Sequence, residues 1–112
     1  MSEEAIKRDL TRKIAGQIEE LLQREILIAQ KALSGTALIE LLLFIGASVS
    51  ASAIATMLQF KPEEVDAGEA FDAFAGLIES LIASRKAEVL DAAALVAAGK
   101  TAEARAKYGS GR

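Results

Sequence analysis

Glu40 is the residue with the clearest chemical potential in this sequence. It is the only charged residue between positions 37 and 60, where nearly all other side chains are apolar or small. A carboxyl group buried in such surroundings could hold a proton or a cation. The alternative is an acid in the first turn of a helix capped by Thr36, lying at the rim of a bundle or pairing with a Lys or Arg of a neighbouring helix. We favour the second interpretation, because no other ionisable group accompanies Glu40, and we keep this residue as a candidate buried charge.

Four hydroxyl side chains follow Glu40 in the same stretch and could line a polar pore or a ligand pocket. Helical Ser and Thr hydroxyls more often bond to the backbone carbonyl one turn earlier, and we favour that simpler interpretation. The four residues are Ser48, Ser50, Ser52 and Thr56.

Three clusters of charged residues suggest binding functions. A basic cluster near the start could bind phosphates and comprises Lys7, Arg8, Arg12 and Lys13. An acidic run could bind a basic partner or a hard cation and comprises Glu63, Glu64, Asp66, Glu69 and Asp72. A basic tail could contact nucleic acid or anionic lipid and comprises Lys100, Arg105, Lys107 and Arg112. A solvated helix face, helix-start acids without calcium-loop spacing and a frayed end explain the three clusters more simply.

Composition argues against catalysis. The 112 residues include no Cys and no His, which removes thiolate nucleophiles, the commonest general base and the usual ligands of transition metals. A net charge of -3 argues against nucleic acid as a partner. We therefore expect no enzymatic activity, no catalytic residue, no cofactor and no metal site.

The pattern of apolar residues predicts an all-α fold. Ser2 caps a first amphipathic helix that runs to about Leu33, and a second, apolar helix runs from Thr36 to about Gln59. Gly35 lies in the break between them, as is usual just after a helix end. Pro62 and the acids after it indicate a helix start, and a long amphipathic helix then follows Gly68 and ends at Ala98. After Gly99, Thr101 begins a short C-terminal helix. Residues 1–108 form one predicted domain, and 109–112 form a flexible tail.

The second helix has no polar face, so either protein or lipid must surround it. Twenty uncharged residues are long enough to span a bilayer. However, the two flanking helices carry apolar stripes of their own, and together they would cover the second helix on two sides only. The sequence therefore favours a homo-oligomeric helical bundle, and the alternative is a membrane-embedded, pore-forming or holin-like protein with residues 37–59 in the bilayer.

The prediction is thus a structural, non-enzymatic protein that assembles with itself or with a larger protein partner as part of a particle, filament or small accessory complex. The first nine residues are polar and acidic, unlike a secretory signal, so we expect a cytoplasmic location, with the membrane as the alternative. The predicted oligomer interface consists of Leu41, Leu42, Ile45, Val49, Ala53 and Met57. The side chains predicted to pack over it are Phe71, Phe74 and Ile78.

Overall fold

A computed structural model describes residues 2–108, and this part of the chain contains helices and no strands. The predicted all-α class is therefore confirmed. The prediction of three main helices and one short helix differs from the five helices observed between residues 2 and 108. In chain order they are α1 (Glu3–Ala29), α2 (Gly35–Leu58), α3 (Ala67–Ser84), α4 (Lys86–Ala97) and α5 (Thr101–Tyr108). The predicted tail at 109–112 lies outside the described residues.

The contacts within the chain divide it into two units. The terminal unit combines the stretch up to Ser34 with the stretch from Ala87 onward, and so holds α1, α5 and nearly all of α4. The central unit is Gly35–Lys86 and holds α2 and α3. The single domain predicted for residues 1–108 stays a prediction.

The start of α1 matches the cap predicted from the sequence. The Ser2 hydroxyl oxygen accepts a hydrogen bond from the Ala5 amide at 3.1 Å, and Glu3 and Glu4 occupy the first turn. The side chain thus satisfies an amide that the helix itself leaves unpaired, and the acids face the positive end of the helix dipole. The helix ends at Ala29, and the residues up to Leu33 form a turn rather than the predicted last helical turn.

The connection between α2 and α3 differs from the expectation. Pro62 begins a turn, closed by the Val65 amide bonding to the Pro62 carbonyl at 3.1 Å, and no helix starts there. The helix begins after Asp66, whose carboxylate accepts from the amides of Gly68 and Glu69 at 3.0 and 3.2 Å. Asp66 acts as the N-cap, which places Gly68 inside the first turn of α3 rather than between two helices.

The single third helix that the sequence predicted is interrupted at Arg85, which separates α3 from α4. The Arg85 amide bonds to the Ile82 carbonyl three residues back at 3.0 Å, and the Ser84 hydroxyl donates to the Leu81 carbonyl at 2.7 Å. A side-chain hydroxyl that bonds locally competes with the regular helical pattern. No Gly or Pro marks this break, so the sequence pattern gave no signal for it.

Gly99 ends α4 as predicted, and the structure shows why glycine is needed. Its φ of 78° is left-handed, a conformation that costs an L-residue with a side chain roughly 1–2 kcal/mol. The Lys100 amide bonds to the Leu95 carbonyl at 2.8 Å and the Gly99 amide to the Val96 carbonyl at 3.0 Å. This pair of bonds is the Schellman ending of a helix, and α5 begins directly afterwards.

Candidate functional site

The central unit is a pair of helices, α2 and α3, that pack against each other. Their packed sides bury Ile54 and Ala70, which are 4% and 5% exposed. Half-buried apolar side chains accompany these two residues on both helices, among them Leu58, Phe74 and Ile78. A single neighbouring helix covers only one side of a helix that is apolar on all sides.

Most of the remaining surface of α2 is therefore exposed, and the large side chains on it are apolar. Phe44 is 76% exposed and Leu43 is 68% exposed, although the transfer of either apolar side chain out of water is favourable in free energy. Ile39, one turn before Leu43, is 61% exposed. The chain alone therefore leaves these large apolar side chains in water, and a group of exposed large apolar side chains is typical of an interaction site. We refer to Ile39, Leu43 and Phe44 as the exposed patch of α2.

The six predicted interface residues lie on both the covered and the exposed sides of α2. Val49 and Ala53 are exposed, whereas Ile45 and Met57 are half-buried within the chain. Leu41 and Leu42 lie at the margin, at 36% and 39% exposure. Each residue of the exposed patch is more exposed to solvent than Leu41, Leu42, Ile45 or Met57. The predicted interface nevertheless did not include the patch. An all-apolar sequence contains no signal that would tell which side α3 covers.

The residues predicted to pack over α2 lie on α3, which does pack against α2. Phe74 and Ile78 are half-buried, four residues apart on one side of the helix, as a packing stripe requires. Phe71 is 45% exposed and lies toward the edge of that stripe. Whether these residues support an interface between chains stays a prediction.

Glu40 is exposed in the chain, one residue from the exposed patch. Glu40 is the sixth residue of α2, and no acid lies in the first turn of that helix, so the predicted first-turn position after a Thr36 cap is wrong. Gly35 and Thr36 are instead the first two residues of the helix. Among the hydroxyl residues, Thr56 donates to the Ser52 carbonyl at 3.1 Å, which is the local bond expected from the sequence. Ser48 and Ser52 are exposed and Ser50 is half-buried, so the structure does not gather the hydroxyl groups into one enclosed pocket.

The length of α2 also matches a bilayer. Its 24 residues extend about 36 Å at 1.5 Å per residue. Among residues 2–108 it is the one helix that is long and apolar enough to cross a membrane, a criterion that the core helices of other proteins also satisfy.

The terminal unit contains a polar network that the sequence did not reveal. The Tyr108 hydroxyl donates to the Asp91 carboxylate at 2.5 Å, and the Lys107 ammonium donates to the same oxygen at 3.1 Å. The Tyr108 bond, and then the Lys107 bond, lower the pKa of Asp91, while the bond to Asp91 raises the pKa values of both Lys107 and Tyr108. These contacts join α4 to α5. They give Lys107, one residue of the predicted basic tail, a role in holding the two helices together.

A second polar contact joins α5 to α1. The Arg105 guanidinium donates to the Gln23 side-chain oxygen at 2.7 Å. Arg105 and Lys107, two of the four residues of the predicted basic tail, thus have partners within the protein, and Arg112 lies outside the described residues. The carboxylates of residues 2–108 form no cluster of three or more that could hold a metal ion.

No protein-family model matches the chain, and comparison with curated proteins and with solved structures gives no significant match. The geometry of the chain itself is therefore the basis for a proposed function.

Proposed function

We propose that this protein functions by assembling with copies of itself through the exposed surface of α2. The observation that carries the proposal is the accessibility of α2, of which Ile54 is the only residue that is buried. The most exposed large side chains of α2 lie side by side or one helical turn apart in the patch of Ile39, Leu43 and Phe44. A surface that pairs with its own copy requires no second gene product, and two-fold self-association is the commonest form of assembly.

The energy available to such an assembly is substantial. Burial of one Leu, Ile or Phe side chain is worth about 1.5–3 kcal/mol. Three such side chains on each of two chains would contribute several kcal/mol even if contact were incomplete. Association must first offset the loss of rotational and translational freedom, estimated at about 4–15 kcal/mol, so the contact has to extend beyond the patch along α2. Val49 and Ala53 are further exposed apolar residues of α2, but at about 100° per residue Val49 lies about 140° around the helix from Phe44, so such a contact has to involve more than one side of α2.

The second candidate is a membrane-embedded protein, favoured by the length and apolar character of α2. The packing of α3 on α2 argues for the first candidate. Glu69, Asp72 and Glu79 are exposed on α3. Insertion of the packed pair would bring these carboxylates toward hydrocarbon, and a charged residue costs about 2.5–3.5 kcal/mol at the bilayer centre. Insertion of α2 alone would require the α2–α3 contact to open.

Fractionation of cells that produce the protein distinguishes the two candidates. Lysates are separated by ultracentrifugation, and the pellet is washed with alkaline carbonate. The self-assembly proposal predicts protein in the supernatant, with a discrete mass above that of one chain in detergent-free buffer. Protein that stays in the carbonate-washed membrane pellet and is released only by detergent would support the bilayer candidate and reject the first.

A further inference from the structure

The first helix presents a second apolar face that no part of its own unit covers. Ile6, Leu10, Ile14 and Ile18 follow one another at four-residue intervals and are 37–52% exposed. Leu21 continues the same side of the helix and is 50% exposed. We refer to these five residues as the α1 stripe.

The terminal unit covers a different side of α1. The half-buried residues of this helix include Ala15, Leu22, Ile26 and Ala29, which follow the three- and four-residue steps of one packed face. At about 100° per residue, the centre of that face is displaced by about 110° from the centre of the α1 stripe. The α1 stripe therefore does not pack within the terminal unit and is accessible to another molecule.

The charges along α1 indicate which molecule fits. Residues 7–13 carry four basic residues, the cluster from Lys7 to Lys13, against the single acid Asp9, which gives a net charge of +3. Residues 19–25 carry three Glu residues against the single base Arg24, which gives a net charge of -2. With Glu3 and Glu4 included, the half of α1 before residue 16 has a net charge of +1, and the half after it has a net charge of -2. Two copies in parallel would place like charges together, whereas two antiparallel copies place each basic half beside an acidic half.

We propose that α1 pairs in antiparallel orientation with α1 of a second copy of this chain, with the two-fold axis near residue 16. In that arrangement Ile14 lies opposite the partner's Ile18, and Thr11 lies opposite the partner's Leu21. Lys7 lies opposite the partner's Glu25. Each contact occurs twice, as a two-fold interface requires. Because the stripe combines four-residue steps with a three-residue step, the helices can cross at a shallow angle of about 20°, which keeps them side by side over this length.

Lys7 and Glu25 already form ion pairs within the chain, and these pairs are too weak to prevent the proposed pairing between chains. Lys7 lies 2.6 Å from Glu4, and Glu25 lies 3.5 Å from Arg24, with all four side chains more than half exposed. Exposed ion pairs of this kind contribute about 0–1 kcal/mol, so exchanging them for pairs between chains costs little.

Disulfide formation tests the orientation in the full-length chain. Because the protein has no Cys, introduced cysteines are the only thiols present. Thr11 is a suitable position because it lines the same shallow surface groove as Leu10 and Ile14 of the stripe. Thr11→Cys and Leu21→Cys proteins are mixed in equal amounts and oxidised.

Antiparallel pairing predicts that the main product is the mixed disulfide, which joins one Thr11→Cys chain to one Leu21→Cys chain. It disfavours a disulfide between two Thr11→Cys chains, because the two copies of that position would lie about 15 Å apart along the pair, beyond the reach of a disulfide. Predominance of the products that join two copies of the same variant would show parallel pairing and overturn the proposal. Absence of any disulfide from chains that circular dichroism shows to be helical would also overturn it and leave the stripe to a different partner.

The matched control uses two positions that are related by the same axis but lie on the other side of the helix. Arg12→Cys and Glu20→Cys proteins, with both residues exposed, should give little mixed disulfide under the same conditions. Equal yields from the control pair and the test pair would mean that random collision, rather than a defined interface, forms the bond, and would overturn the proposal.

Charge reversal provides a second test, in which a double variant should restore the disulfide formation that the single variants slow. When introduced into both Cys variants, Lys7→Glu or Glu25→Lys alone should slow mixed-disulfide formation by roughly 3- to 10-fold, because two opposing pairs per dimer become repulsive. The two reversals together restore opposite charges and should restore the rate. If the double variant remains as slow as the single variants, the charges do not set the orientation.

This interface lies on the terminal unit and is independent of the proposed assembly through α2. Phe44→Ser should therefore weaken assembly through α2 and leave the mixed disulfide of the Thr11→Cys and Leu21→Cys chains intact. Conversely, a chain that assembles through α2 but forms no such disulfide would reject the α1 pairing alone.

Discussion

Replacement of Phe44 by Ser is the sharpest perturbation of the α2 surface. The side chain is 76% exposed within the chain, so its loss removes little packing from the fold. A Phe side chain buries about 150–250 Å² when fully covered, which leaves about 150 Å² available to a partner. At about 25 cal/mol per Å², full coverage of this area would be worth about 4 kcal/mol, an upper value beside the roughly 1.5–3 kcal/mol of the side-chain scale.

Coverage at an interface is partial, and Ser retains some surface, so we expect a loss of about 2 kcal/mol for each Phe44 that is removed. Each 1.4 kcal/mol corresponds to a tenfold change in affinity, which gives about a 30-fold weaker association for each side chain. The helix itself should remain, because Ser lowers helix propensity by only a few tenths of a kcal/mol.

The assay is sedimentation equilibrium of the purified chain across a concentration series, with chemical unfolding measured in parallel. Ile54→Val is the matched control on the same helix. Ile54 is 4% exposed, so this change should lower the free energy of unfolding by about 0.5–1.5 kcal/mol and leave the association constant unchanged. An association constant that Phe44→Ser leaves unchanged, or that both variants lower equally, would refute the role of Phe44 in self-association.

The remaining predictions concern a charge, a polar network and a turn. Glu40→Gln should leave assembly and stability unchanged from about pH 4 to 8, since the carboxylate is exposed; altered assembly by sedimentation would restore the proton- or ion-site interpretation. The lowered pKa of Asp91 means that its bonds stabilise α5 above the ordinary value of 3.8 and are lost as the pH falls through the lower folded value. The raised pKa values of Lys107 and Tyr108 mean that their contribution is complete below about 10 and is lost as the pH rises through the folded values. Asp91→Asn should accordingly move the absorbance titration of Tyr108, the only Tyr, back toward 10.0, and an unmoved titration would contradict the network. Gly99→Ala should lower the free energy of unfolding by roughly 1–2 kcal/mol in a denaturant titration, and an unchanged midpoint would argue against the left-handed conformation.

Local signals predicted the all-α class and several helix ends. The Ser2 cap and the Gly99 ending depend on residue types whose backbone requirements are specific, and the structure places both as expected. The break at Arg85 was missed because neighbouring hydrogen bonds, rather than a Gly or Pro, interrupt the helix. Pro62 was assigned to a helix start because it suits one, but the Asp66 cap sets the boundary four residues later.

The candidate site was only partly predictable, for a different reason. The sequence of α2 is apolar on every side, so its pattern identifies a helix that needs cover without telling which side α3 supplies. Phe44 and Leu43 were consequently omitted from the predicted interface, and the half-buried Ile45 and Met57 were included. The Asp91–Tyr108 bond was equally unpredictable, because it joins residues on two helices through a turn.

The most direct test of self-assembly is the mass of the purified chain in detergent-free buffer. One chain has a mass of 11.8 kDa. Self-assembly through α2 predicts a discrete multiple of that mass at micromolar concentration, with Phe44 protected from solvent. A stable 11.8 kDa species across the whole concentration range would contradict the proposal, because the α2 surface would then remain in water without a partner.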